Sequence, residues 1–184
     1  MNLRWLFGTR QPGMAEQKAD AYREVSIAAR VAVALLCFER YCQAKRLRHP
    51  LIDTFLDRMW ELPCIESLSD WESRPCELVH AGLGDSFSPE VVDLLGPDKV
   101  FRKEFRELLE STVEVVYCSA YGKGDDEGSL RFLNRVLCIC SAASISPPPV
   151  EPFSMSLFAE NDGWGKRLST EQRDAWRFKA YGSC

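Results

Sequence analysis

The feature that most constrains this chain is a segment from about Ala15 to Leu47 that contains neither glycine nor proline. It is rich in alanine, leucine, glutamate and arginine, which are good helix formers, so it predicts one long helix or two nearly continuous ones. Its centre, VAVALLCF, is apolar almost all round. Because such a helix must be covered on every side, we expect it to lie at the centre of a helical bundle.

Start and stop signals predict further helices along the middle of the chain. Pro50 precedes apolar residues at three- and four-residue spacing, and Pro63 ends that run. SPEVVDLLGP begins with serine and proline and ends with glycine, which predicts a helix of about two turns. From Asp98 to Gly122 the apolar residues again recur at helical spacing. The stretch 111–121 is rich in β-branched residues, which leaves a strand open there.

The C-terminal part combines one more amphipathic helix with an irregular connector. SLRFLNRVLCIC has apolar residues on one helical face, whereas three successive prolines make 145–153 a connector without helical hydrogen bonds. Ser169 with Gln172 three residues on is a capping-box pattern for a short last helix, Thr170 to about Lys179.

Together these signals predict an all-α fold. We expect residues 1–184 to form a single domain, because 184 residues suit one hydrophobic core. Its architecture is a helical bundle of about five to seven helices, with the proline-rich connector 145–153 before the short C-terminal helix. Residues 1–13 are expected to be a flexible N-terminal segment.

Charge and hydropathy limit the partners. The formal net charge is -4, so the chain lacks the overall positive field that drives non-specific binding to nucleic acid. The longest apolar run, Val31 to Phe38, is far shorter than the ~18 residues of a membrane span, and the apolar run near the N-terminus is too short for a signal peptide. We therefore expect a cytoplasmic protein that binds neither nucleic acid nor membrane.

The eight cysteines are scattered and contain no C-x-x-C pair, which favours free thiols in a reducing compartment. Cys76 and His80 are four residues apart and would share a helix face, the spacing of a metal pair or of a thiol and its base. A zinc site there would need a further ligand such as Cys64. We expect no metal and no cofactor, and we keep a thiol- or zinc-dependent protein centred on these residues as the alternative.

No catalytic motif occurs: G-x-S-x-G and H-E-x-x-H are both missing from the sequence. We therefore expect a protein that is not an enzyme, with no catalytic residues to assign. A site assembled from residues distant in sequence would leave no such motif, and that alternative stays open.

Aromatic and acidic residues near the C-terminus are the remaining signal. Trp164 lies between two glycines in NDGWG, a turn sequence, with Glu160 and Asp162 just before it and Trp176 in the last helix. A tryptophan at such a place either locks a turn onto the core or stands exposed as an interface anchor. Packing is the commoner use. As candidate partner-binding residues we nevertheless name Trp164, Asp162, Glu160 and Trp176.

The order of SLRFLNRVLCIC, a proline connector, VEPFSMSLFAE and NDGWG resembles small uncharacterised bacterial proteins, some of them immunity proteins that accompany secreted toxins. The resemblance covers the last third of the chain. Immunity proteins are typically single-domain, cytosolic and often acidic, and they act by plugging a toxin's active site. The resemblance thus implies a protein-interaction module that inhibits a toxin or enzyme encoded by an adjacent gene, with its oligomeric state left open.

Overall fold

The glycine- and proline-free segment forms two helices, α1 (Glu16–Asp20) and α2 (Ile27–Ala44), separated by a turn. The computed structural model describes residues 16–120 and 124–180, so the predicted flexible segment 1–13 lies outside the described residues. Ser26 caps α2, its side chain accepting a hydrogen bond from the amide of Ala29 at 3.2 Å. Residues on every side of α2 are buried, which confirms the expected central helix.

Helices α7 (Lys99–Tyr117) and α8 (Asp126–Ala142) pack against α2 and against each other, and these three helices form the centre of the bundle. The valine-rich end of α7 is helical as far as Tyr117, so the strand left open over 111–121 is wrong in the described part of it. Val113, Val115 and Val116 are buried there. Burial in the core outweighs the weak helix propensity of β-branched residues.

Shorter helices surround this centre: α3 (Pro50–Trp60), α4 (Leu68–Glu72), α5 (Glu77–Gly82), α6 (Pro89–Leu95) and α9 (Thr170–Lys179). The all-α bundle is confirmed, and the described residues contain no strand. They form nine α-helices instead of five to seven, because α4 and α5 have six residues or fewer and give little periodic signal in the sequence.

The proline-rich connector lies against the bundle. It has no α-helix and ends in a 3-10 turn, Glu151–Phe153, whose Phe153 is fully buried. The Tyr22 hydroxyl donates to the Pro148 carbonyl, which ties the connector to the turn before α2. At α9, the Ser169 and Gln172 capping box is present as predicted. Nowhere in the described ranges is there a helix both long and apolar enough to cross a membrane.

Candidate functional site

The segment that leads to Trp164 is attached to the start of α2. The Ser26 amide donates to the Ser156 carbonyl at 2.9 Å, and the two hydroxyls are 2.8 Å apart. The Phe158 amide then donates to the Glu24 carbonyl at 2.9 Å. Both serines are fully buried. Because backbone and side chain both contribute, this segment has a fixed position against α2.

Two more backbone hydrogen bonds fix the same segment after Phe158. The Gly124 amide, just before α8, donates to the Asp162 carbonyl at 2.8 Å. The Leu168 amide donates to the carbonyl of Pro63, in the 3-10 turn Leu62–Cys64 that follows α3, at 2.9 Å. Residues 160–165, which we call the Trp164 loop, are thus held at both ends.

The backbone of the Trp164 loop is unusual. Asn161, Asp162, Gly163 and Gly165 all have positive φ, at 48°, 52°, 95° and 76°. Gly163 and Gly165 adopt such angles without a steric penalty. Asparagine and aspartate are the other residues that enter this region most often, and the Asn161 side-chain amide donates to the Gly165 carbonyl at 3.3 Å. The loop is therefore a tight turn next to the tryptophan, closed by its own hydrogen bonds.

Trp164 is half-buried and lines a cavity of about 280 Å³. The cavity lies between the start of α2, the segment after α3, the end of α7 and the Trp164 loop. Most of its walls are apolar, and its lining residues are Ala28, Val31, Leu62, Pro63, Ile65, Leu68, Val116, Ala120, Asn161, Trp164, Gly165, Lys166 and Arg167. One apolar group of side-chain size fits these walls.

Charged residues surround the opening of the cavity. The Lys166 ammonium is 2.9 Å from the Glu160 carboxylate, and Arg167 pairs with Glu66. These contacts raise the pKa of Lys166 and lower that of Glu160, so both groups stay charged near neutral pH. Asp162 is exposed beside them. Exposed pairs of this kind contribute little to stability and exchange readily with an external charge.

A buried arginine supports the loop from beneath. Arg30 in α2 is fully buried and its guanidinium lies 4.8 Å from the centre of the Phe158 ring. It donates to the carbonyls of Tyr22 and Arg23 at 3.1 and 2.5 Å and binds the Asp126 carboxylate at 2.7 Å. Burial lowers the pKa of Arg30 and the Asp126 carboxylate opposes that change. One side chain thus joins α2, α8 and the segment before the Trp164 loop.

Trp176, the other tryptophan predicted to bind a partner, lies in the core. It is 2% exposed, its indole N–H donates to the Pro152 carbonyl at 2.9 Å, and it packs edge-on against Phe153 at 5.2 Å. Its ring fastens α9 to the proline-rich connector. The structure therefore separates the two tryptophans, and we leave Trp176 out of the candidate binding surface.

The alternative site at Cys64, Cys76 and His80 is not assembled. In the described part of the chain no three His, Cys, Asp or Glu residues are grouped to hold a metal ion. Cys76 is buried at the start of α5 whereas His80 is exposed. Burial raises the pKa of the Cys76 thiol, opposite to what a nucleophile needs. The predicted pairing fails because α5 begins after Cys76.

Comparison with family models, curated proteins and solved structures found no match to this chain. The resemblance to immunity-type proteins therefore stays a prediction, and only the geometry of the Trp164 loop and its cavity supports a site. Sequence reasoning named Trp164, Glu160 and Asp162 but missed the apolar walls and the cations Lys166 and Arg167. Lys166 and Arg167 directly follow NDGWG, so the sequence could have indicated the positive charge beside this site.

Proposed function

We propose that this chain is a protein-interaction module that binds a partner protein through the surface around Trp164. That surface, which we call the Trp164 surface, consists of Trp164, Glu160, Asp162, Lys166 and Arg167. The observation that carries the proposal is the apolar cavity beside Trp164, held by a tight loop that is fixed on both sides.

The arrangement has the anatomy of an interface hot spot. Tryptophan and arginine are enriched at such positions, and a well-formed apolar pocket within a polar rim is where they usually lie. Here the pocket is fixed before binding, since the segment 156–168, which contains the Trp164 loop, is hydrogen-bonded to the start of α2, to Gly124 ahead of α8 and to Pro63 in the turn after α3. A preformed pocket avoids much of the entropy cost of binding.

The cavity also indicates the chemistry of the partner. Small-molecule sites usually enclose about 300–1,000 Å³, so a cavity of about 280 Å³ suits one apolar side chain better than a larger ligand. Lys166 and Arg167 at its opening favour acidic residues next to that side chain. We therefore expect the partner to present an apolar residue flanked by carboxylates.

The same lining favours binding over catalysis. Among the described lining residues the polar side chains are those of Asn161, Lys166 and Arg167, together with the indole of Trp164. Lys166 is the one side chain in that described lining of a kind that serves as a nucleophile or base, and its contact with Glu160 raises its pKa, which opposes both roles. Inhibition of a toxin or enzyme by occlusion, as the resemblance implies, needs only a binding surface.

The proposal includes a cytoplasmic location. The seven cysteines in the described part of the chain are all free thiols, and four of them are buried. This pattern is usual where thiols are kept reduced.

Co-expression with the product of an adjacent gene tests the proposal. We expect an equimolar complex on size-exclusion chromatography, and we expect it to dissociate when Lys166→Glu and Arg167→Glu are combined. The matched control is Arg48→Glu with Lys179→Glu, which changes net charge equally at two exposed sites elsewhere. Two separate peaks for the wild-type proteins would refute the immunity-type hypothesis.

A further inference from the structure

The outward face of α7 has its charges in an unusual order. Along this face the three bases Lys99, Lys103 and Arg106 come first, and the three acids Glu107, Glu110 and Glu114 follow them. Apart from its capping residue Asp98, α7 has no acid in its first turn and no base in its last turn. In contrast, α9 has an acid in its first turn and bases in its last turn.

This order of charges stabilises the helix less than the reverse order would. The helix dipole favours acids near the N-terminus and bases near the C-terminus, which is the reverse of what α7 has. The pairs Lys103–Glu107 and Arg106–Glu110, at 3.7 and 3.5 Å, also have the base N-terminal to the acid, the weaker orientation at this spacing. The charges therefore call for an explanation outside the helix itself.

The six charges are arranged symmetrically about the midpoint between Arg106 and Glu107. Lys99 and Glu114 are equally far from that point along the helix, and so are Lys103 and Glu110. An α-helix turns by roughly 100° per residue, so the six Cα–Cβ bonds project within about 50° of one direction perpendicular to the helix axis. They form a strip about 22 Å long, at about 1.5 Å per residue, in which a twofold rotation exchanges each base with an acid.

We propose that this strip, which we call the α7 face, pairs antiparallel with the α7 face of a second copy of the chain. A twofold axis through the Arg106 and Glu107 midpoint places Lys99 opposite the partner's Glu114 and Lys103 opposite the partner's Glu110. Arg106 lies opposite the partner's Glu107. The interface is closed, as expected of a twofold homodimer.

The surface relief of the two halves suits this pairing. Lys99 and Lys103 are exposed, whereas Glu110 and Glu114 are half-buried in a groove of about 760 Å³ between α7, the end of α5 and α8. Leu83, Phe132 and Ile139 provide apolar walls, and Arg135 is the one cation among the described lining residues, against three glutamates. The exposed Lys99 and Lys103 of each copy can therefore reach the half-buried Glu114 and Glu110 of the other.

The basic half has its own apolar support. Phe87 and Val92 line a recess of about 430 Å³ together with Lys99, Arg102, Lys103 and Arg106. The Arg106 guanidinium lies 3.9 Å from the centre of the Phe87 ring and donates to the Asp85 carbonyl at 3.0 Å. This arginine is therefore held in place before a partner arrives. None of these residues belongs to the Trp164 surface, so the two proposals stand independently.

Charge reversal tests the α7 face by sedimentation equilibrium at roughly 20 mM and 500 mM salt. We expect wild-type protein to dimerise at low salt, with a dissociation constant at least about tenfold weaker at high salt. Lys99→Glu with Lys103→Glu makes the α7 face acidic, and Glu110→Lys with Glu114→Lys makes it basic. Each variant alone should be monomeric, and an equal mixture of the two should form a heterodimer.

The variant that combines all four substitutions, which we call the quadruple variant, provides the decisive control. In it the acids at 99 and 103 again lie opposite bases at 114 and 110, so the complementary pattern is restored with the signs exchanged. We expect it to dimerise like wild type, and the Arg48→Glu and Lys179→Glu control to do so as well. Wild-type protein that stays monomeric at low salt up to roughly 1 mM would overturn the proposal. So would a reversed variant that dimerises like wild type, or a quadruple variant that is folded and monomeric.

Discussion

Replacing Gly165 by alanine should destabilise the protein by more than its backbone angle alone requires. The φ of Gly165 is +76°, which costs a non-glycine residue about 1–3 kcal/mol. A Cβ there would also lie 2.3 Å from the Ser156 hydroxyl oxygen and 2.6 Å from the Ser26 Cβ. Overpacking of this kind costs about 1–3 kcal/mol more. The expected loss is therefore about 2–6 kcal/mol of unfolding free energy.

The two serines have little freedom to move aside. Both are fully buried, their hydroxyls are 2.8 Å apart, and their backbones share a 2.9 Å hydrogen bond. An added methyl group must therefore displace the Trp164 loop from the start of α2. The steric part of the loss depends on this packing being rigid.

Urea unfolding of Gly165→Ala in the wild-type and Ser156→Ala backgrounds measures that part. The backbone angle is the same in both backgrounds, but Ser156→Ala removes the hydroxyl oxygen that would lie nearest to the new Cβ. We expect Gly165→Ala to lose about 0.5–3 kcal/mol less in the Ser156→Ala background, with similar denaturant slopes. Equal losses in the two backgrounds would refute the close packing of the Trp164 loop on α2.

Three further predictions concern stability. Trp176→Ala should lower the unfolding free energy, measured in urea, by about 3–5 kcal/mol. Trp164→Ala should lower it by at least about 1 kcal/mol less, because only the Trp176 ring is fully buried. Equal losses for the two variants would contradict this. Arg30→Met should cost about 1–3 kcal/mol for each of the Tyr22 and Arg23 carbonyls that lose their donor, whereas Asp126 keeps its contact with Arg23. A melting temperature like that of wild type would refute it. Burial raises the pKa of Tyr22 and Tyr41 above the usual value near 10. The folded protein therefore keeps phenolic protons that the unfolded chain loses, and stability should fall as the pH rises above about 10; an unchanged urea midpoint would contradict this.

The helical elements were predictable where one local signal decided them. Ser169 with Gln172 caps α9 and Ser88 with Pro89 begins α6, as predicted, whereas the Ser26 cap that separates α2 from α1 was not recognised. The valine-rich end of α7 was ambiguous because local propensity and burial point in opposite directions. Burial depends on which residues α2 and α8 bring into contact, and no short stretch of sequence contains that information.

The candidate site was predictable only in part. NDGWG marked the turn and Trp164 within it, yet the apolar walls come from Val31, Leu62 and Val116, which are far apart in the chain. Trp164 and Trp176 looked alike in sequence. The structure separates them, because Trp176 finds the Pro152 carbonyl and Phe153 whereas Trp164 borders a cavity.

The affinity of the Trp164→Ala variant for the co-expressed partner tests the proposed function most directly. Isothermal titration should show a dissociation constant at least about thirtyfold weaker than that of wild type, the loss of about 2 kcal/mol that defines a hot spot. Phe178→Ala is the matched control, because it removes a ring that is 72% exposed on α9. We predict wild-type affinity for that control. A folded Trp164→Ala variant that binds the partner as tightly as wild type would contradict the account.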